Sequence, residues 1–370
     1  MDTEISSILC VADMNITGIL DQCLADLALP EIFIQRAKQM SLIDKQRILG
    51  LHPVTRLDES RALIYRIFVP SVYEDGLMHR IMEMTDLKMG GRGFIFSQRP
   101  GIRRGTPLLY DTEKLERLCG KSEKLHREEC ALISCIVPRG TGDSLARTLL
   151  ELGVCVPVIF FGTGMGLRNK LGLLRITIPI EKEIIWAIVP YSESDLVEKT
   201  LIPRARLDIP GQGFLYKCNI HAPAVNLRIR QGKRDSAATM EQVIAALDEV
   251  HGSSDWRRQG SHKGKTGSPE HLHTRGLFFI GMDDEVEIFH KTAMENGARG
   301  ATLNSVELRS YAADQGKVNE SNSRSLCDII ITPNVEEKLL DAVSQTGLFD
   351  SGRSCLLKSI NVEMPSVIRR

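Results

Sequence analysis

One spacing occurs twice in this chain, and it limits the available folds more than composition does. Val69-Pro70 precedes Gly91 by the same 22 positions that separate Val189-Pro190 from Gly211. Each glycine then opens a Gly-x-Gly-Phe turn, Gly91-Arg92-Gly93-Phe94 and Gly211-Gln212-Gly213-Phe214. Matching residues at matching offsets mark an internal repeat, here longer than a solenoid unit. A β-type run precedes each Val-Pro, "ALIYRIF" in one copy and "EIIWAI" in the other. A helix-like stretch such as "SESDLVEKTLI" follows, with Ser or Asp near its start as a cap, and a short apolar strand comes after the glycines.

The same strand–helix–strand pattern precedes each of these halves, over 5–35 and 131–161. The C-terminal third carries both halves again, over 276–309 and 326–362, with Pro333 in the Val-Pro place and Gly352 in the turn. The expected fold is therefore α+β. Three ferredoxin-like βαββαβ modules lie near 1–105, 129–235 and 274–370. Each puts two helices on one face of a four-stranded antiparallel sheet. The strands are apolar on both sides, so the other face also needs cover. Three like modules on one chain are expected to pack together as a pseudo-trimer, the covalent version of a homotrimer. Residues 106–128 read as a charged helical linker. Residues 236–273 read as a helix followed by a flexible basic linker rich in Gly and Ser.

Lysine plus arginine and aspartate plus glutamate both number 47, so there is no basic excess and no general nucleic-acid binder is expected. No segment approaches the roughly 20 apolar residues that span a bilayer, and the start lacks the basic and apolar parts of a signal peptide. Nine cysteines are scattered without a C-x-x-C pair, and several sit in apolar runs. They are expected to be buried reduced thiols, in keeping with a cytoplasmic location.

No activated nucleophile or catalytic set emerges, so an enzyme is not expected. Lone acidic residues such as Glu193 and Asp195 read as solvated or capping groups. His271-Leu272-His273 could bind a metal in principle, but no carboxylate or thiol pair stands at ligand spacing, and no metal site is expected. The sequence "FFGTGMGLRNKLGLLR" is neither a dinucleotide fingerprint nor a phosphate loop of the G-x-x-x-x-G-K type. It reads as a flexible basic loop over 162–175. The Gly211–Gly213 turn admits two readings. It is a structural closure between helix and strand, or a nest of backbone N–H groups that receives an anion. The nest reading gains from Arg228 and Arg230, whose forked donors suit phosphate oxygens and which alternation puts on one face of an extended segment.

Three ferredoxin-like modules, "GQGF" before the last strand of the middle one and "RIRQGKR" after it resemble the PII nitrogen-regulatory signalling family. Those proteins are homotrimers of one such module. The glycine-rich "FFGTGMG" is similar to the start of that family's T-loop. Arg369 follows Gly352 by 17 positions, as Arg228 follows Gly211. The resemblance implies an adenine nucleotide, ATP or ADP, or another small anionic effector in a cleft between modules. It implies Gly162, Gly164, Arg168, Gly211, Gly213, Arg228 and Arg230 as binding residues, the two arginines acting across the interface. It further implies a regulated protein partner met through the 162–175 loop. Phe214 stands where the family has a lysine, Gln212 where it has an aspartate, and the loop offers no tyrosine for modification. The alternative is a non-enzymatic structural or protein-interaction pseudo-trimer that has lost ligand binding.

Overall fold

The computed structural model describes residues 4–45, 54–120, 124–125, 127–166, 181–223, 271–311 and 322–366. It is a mixed α+β fold with one 13-stranded antiparallel sheet. The element order β-α-β-β-α-β occurs three times. The first run is β1 (Ile5–Asp13), α1 (Thr17–Asp26), β2 (Ile32–Lys45), β3 (Val54–Pro70), α2 (Glu74–Thr85) and β4 (Gly93–Gln98). A short β5 (Gly101–Arg104) and α3 (Thr112–Cys119) follow it. The second run is β6 (Arg127–Pro138), α4 (Gly142–Leu152), β7 (Val158–Gly166), β8 (Glu181–Pro190), α5 (Ser194–Arg204) and β9 (Phe214–Pro223). The third is β10 (His271–Gly281), α6 (Asp283–Glu295), β11 (Gly300–Arg309), β12 (Ser323–Ile331), α7 (Pro333–Ser344) and β13 (Leu356–Pro365).

Within each run the strands follow one order, β2-β3-β1-β4, β7-β8-β6-β9 and β11-β12-β10-β13. Alternation along the first strands explains why this forms layers. In β1, Ile8, Cys10 and Ala12 face a core shared with Leu20, Leu24 and Leu77 of the helices. Leu9 and Val11 face the other way, into a core shared with Leu132, Trp186, Tyr216 and Ile360. Each sheet is thus covered by its own helices on one side and by the other runs on the other. That double cover is why the strands are apolar throughout rather than at every second residue.

The runs join through strand pairs at two places. The second strands meet one another: Lys38 pairs with Ile159, Thr302 with Gly164 and Glu307 with Ile34. The fourth strands meet elsewhere, through Ser97↔His221 and Glu363↔Lys217, and β5 adds to the edge of β13. The β2–β3 hairpin reaches beyond its own sheet. Its Met40 is buried in the helix-side core of the second run, and Met40 N donates to the Pro157 carbonyl at 3.0 Å. Nothing in the local sequence announces that arm.

The twinned glycine turns are also conformational twins. Asp86, Gly91 and Gly93 have φ of 49°, 85° and 128°, while Arg206, Gly211 and Gly213 have 54°, 87° and 133°. The second glycine of each pair is required twice over. It lies in the left-handed half of φ, and a Cβ at Gly93 or Gly213 would sit 1.9 Å from the Val11 carbonyl oxygen or 2.0 Å from that of Ile136.

Candidate functional site

The first turn of each second helix sets a carboxylate against the fourth strand of its run. Glu74 accepts from Ser97 Oγ at 2.5 Å, Asp195 from Lys217 Nζ at 3.0 Å and Glu336 from Ser359 Oγ at 2.7 Å. A basic side chain from a first strand completes each group. Arg127 of β6 reaches Glu74 at 2.5 Å and also bonds Asp75. His271 of β10 meets Glu198, one helical turn beyond Asp195, at 2.7 Å. Arg275, also of β10, reaches Glu336 at 2.7 Å. The first two groups bridge successive runs.

Burial makes these groups consequential. The side chains of Glu74, Glu198 and Lys217 are 1%, 0% and 2% exposed. Burial alone raises the Glu74 carboxyl, but hydrogen bonds from Ser6 and Ser97 and the charge of Arg127 outweigh it, so Glu74 is held below the usual range. At Glu198 burial wins over His271 and Lys217, and its carboxyl is held above the usual range. Burial opposes the charge of Lys217, yet its bond to Asp195 and the charge of Glu198 hold its ammonium above the ordinary value.

Asp195, Glu198 and His271 have ligand atoms within 4.8 Å of one another, a spacing a metal ion could use. The Lys217 ammonium already lies 3.0 Å from Asp195 and 3.6 Å from Glu198. A metal would have to displace it, so the residues present fit a resident lysine better than a metal.

Beside these groups, where β4, β9, β10 and β13 approach, lies a cavity of about 570 Å³. Its walls carry Arg99, Lys217, His221, His273 and Arg275 as cationic or titratable groups. Gln98, Asn219, Ser359 and Asn361 add neutral polar groups, and among the described residues Glu363 is the one lining carboxylate. All three runs contribute. The volume lies in the 300–1,000 Å³ range of small-molecule sites, and the wall can present donors to an anion from several directions.

The residues expected from the sequence lie elsewhere. Gly162 and Gly164 are within β7, not in a loop. Gly162 is pressed against β11, and a Cβ there would stand 2.7 Å from Asn304 Oδ1 and 2.9 Å from the Leu303 carbonyl oxygen. Its lack of a side chain is therefore explained by close strand packing. Gly211 and Gly213 form the turn into β9. The strands β6 and β8 separate them from Gly162, three strand spacings or about 14 Å. Neither glycine pair lines the cavity. Arg168, Arg228 and Arg230 lie outside the described residues, as do most of 162–175 and of 236–273. Asp195, expected to be solvated or capping, keeps a side chain 42% exposed in the first turn of α5 and also pairs with buried Lys217. His271, expected in a linker without a carboxylate nearby, belongs to β10 and touches Glu198. Sequence spacing could not show this, because 73 positions separate them.

No protein-family model and no curated protein matches this chain. Among solved structures it is similar to GlnK of B. subtilis. The identity is 16% over 28% of this chain and 90% of that one, with a TM-score of 0.22. Among the described residues, no helix is long and apolar enough to cross a membrane.

Proposed function

We propose that this chain is a PII-like regulatory protein, a single-chain pseudo-trimer of three ferredoxin-like modules that binds a small anionic effector between modules and signals its occupancy to a protein partner. The cavity at the junction of β4, β9 and β13 carries the reading. It has the size of a ligand site and takes donors from all three βαββαβ runs. An effector seated there favours one arrangement of the three runs over another only by contacting them differently in each. The surface that a partner reads is the remainder of the expected 162–175 loop, residues 167–175, since 162–166 belong to β7. The effector is an adenine nucleotide, ATP or ADP, or a smaller polyanion, and no catalytic step is assigned.

Two pairs of variants test this in the full chain. Arg99→Ala/Arg275→Ala removes two donors from the cavity. Arg228→Ala/Arg230→Ala removes the pair that the PII resemblance points to. Nucleotide binding lost only in the first pair assigns the effector to the cavity, and lost only in the second assigns it to the glycine-turn cleft. No saturable binding of any small anion to the wild-type chain overturns the reading.

A second reading, a scaffold that no longer binds a ligand, has its own support. Phe214 replaces the lysine of the PII pattern, and packing alone explains Gly162 and Gly213. It predicts a protein partner that binds equally well at every effector concentration.

A further inference from the structure

In the inner core, on the face away from the helices, lies a second and much smaller chamber of about 40 Å³. It lies next to the effector cavity, with which it shares Gln98, Cys218 and Ile360 as lining residues. Arg66 of β3, Lys358 of β13, Asp328 of β12 and Gln98 of β4 bring polar atoms to it, and Trp186 of β8 and Phe278 of β10 form part of its apolar wall. Every run therefore contributes. The volume suits one halide-sized ion or about three waters.

The hydrogen bonds of its two cations are unusual. Arg66 Nη2 donates to Gln35 Oε1 at 2.7 Å, while Arg66 Nη1 has no partner among the described residues. Lys358 Nζ donates to Gln98 Oε1 at 2.5 Å and to Ser7 Oγ at 3.1 Å. All of these acceptors are neutral. Arg66 is 7% exposed and Lys358 8%, and among the described residues neither forms an ion pair. Asp328 also faces the chamber. Its Oδ2 accepts from Asn304 at 3.3 Å and its Oδ1 has no partner among the described residues. Burial lowers the Lys358 ammonium to about 7 and raises the Asp328 carboxyl to about 7, so below pH 7 two buried cations face a protonated carboxyl and leave an excess positive charge in a site of low dielectric, a costly state without a counter-ion. Water would satisfy the free N–H of Arg66 but would not answer the charge.

We propose that this chamber is a binding site for a small monovalent anion of halide size, held between Arg66 Nη1 and Lys358 Nζ. The ion ties β3 of the first run to β13 of the third against the Trp186 ring of the second, over which the Arg66 guanidinium lies at 5.6 Å. Asp328 and Lys358 together set the pH range, since the Lys358 ammonium also loses its charge as pH rises through about 7. Burial raises the Asp328 carboxyl to about 7, against the pull of Arg66 and Lys358. Protonated, it donates to the anion; ionised, it repels it. Tyr216 and Cys218, which also face the chamber, are pushed upward by burial and stay neutral near pH 7. Anion affinity therefore falls as pH rises through 7.

Trp186 reports occupancy directly, because the chain has two tryptophans and Trp256→Phe leaves it alone. The full chain carrying that change is titrated with sodium iodide at constant ionic strength, gluconate being the balancing anion. The expected result is saturable quenching of Trp186, competed by chloride and weakened at least tenfold by Arg66→Met or Lys358→Met. Because either variant could fail to fold, the wild-type melting temperature is measured in chloride against gluconate. A rise of a few degrees that saturates with chloride is expected. Quenching that stays linear in iodide and ignores chloride, with a melting temperature equal in both salts, overturns the proposal.

Discussion

His271 Nε2 stands 2.7 Å from Glu198 Oε2, so the first strand of the third βαββαβ run is bonded to the second helix of the run before it. Glu198 is fully buried and also lies 3.6 Å from the Lys217 ammonium. Glu198→Gln would keep the shape and remove the charge that faces the Lys217 ammonium. Removing one partner of a buried ion pair typically costs 3–5 kcal/mol, and because Asp195 and Glu363 still reach Lys217, a loss of about 3 kcal/mol is expected. Urea unfolding measures it. A loss below about 0.5 kcal/mol would show that the junction does not depend on this pair.

The two titrating groups of the inner chamber give the stability curve a predictable form. Folding raises Asp328 from 3.8 to about 7, so the folded chain holds that proton more tightly. Its contribution is full below about pH 4 and is lost as pH rises to 7. Folding lowers Lys358 from 10.5 to about 7. Its contribution is full above about pH 10.5 and is lost as pH falls to 7. In a halide-free buffer, Asp328→Asn should therefore flatten the decline between pH 4 and 7 and raise stability at pH 7 by about 4 kcal/mol. Denaturant midpoints across that range decide it, and an unchanged slope would mean that Asp328 titrates normally.

Two glycines that both have positive φ should respond unequally to alanine. At Gly213 (φ 133°) a Cβ would lie 2.0 Å from the Ile136 carbonyl oxygen, whereas at Gly352 (φ 98°) it meets nothing within 4 Å. Gly352→Ala carries only the conformational cost of about 1–2 kcal/mol, while Gly213→Ala must also push β6 and β9 apart and should cost at least 3 kcal/mol. Paired thermal melts compare them, and equal losses would contradict the close approach.

All nine cysteines are buried and none is in a disulfide. Burial pushes the thiols of Cys23, Cys119 and Cys355 up to about 11, and those of Cys135, Cys155 and Cys218 up to about 12. Because the thiolate is the reactive form, the native chain at pH 8 should react with a thiol reagent only as fast as it opens, and all nine should react in denaturant. Fast modification of several thiols in the native chain would contradict the packing of the helix-side and inner cores.

What could be read from the sequence follows from what is local. The run "ALIYRIF" lies in β3 and "SESDLVEKTLI" overlaps α5, because apolar period and turn residues act over a few positions. The Gly-x-Gly turns were legible because their φ values demand glycine. The arm that carries Met40 into the second run was not, since alternation says that a strand has two faces but not whose core each face meets. Arg66 and Lys358 were missed for a related reason. In "LIYRIFV" and "CLLKSIN" each looks like the one polar residue of a half-exposed strand, and only the closing of three sheets around a common core buries it. The cavity between the fourth strands gathers residues from Gln98 to Glu363, a range over which no short motif operates. The expected nucleotide residues came from a turn and a loop that were recognisable one at a time, and of their glycines Gly162 is pressed against β11 and Gly213 against β6.

The most direct test of the central claim is calorimetric titration of the full chain with ATP, ADP and AMP, with and without magnesium. The account predicts saturable binding of at least one of them, near one site per chain, that disappears in the Arg99→Ala/Arg275→Ala variant while the fold is retained. Absence of any saturable heat at millimolar nucleotide, with no thermal shift from phosphate or small polycarboxylates, would contradict it and leave a scaffold that answers to protein partners alone.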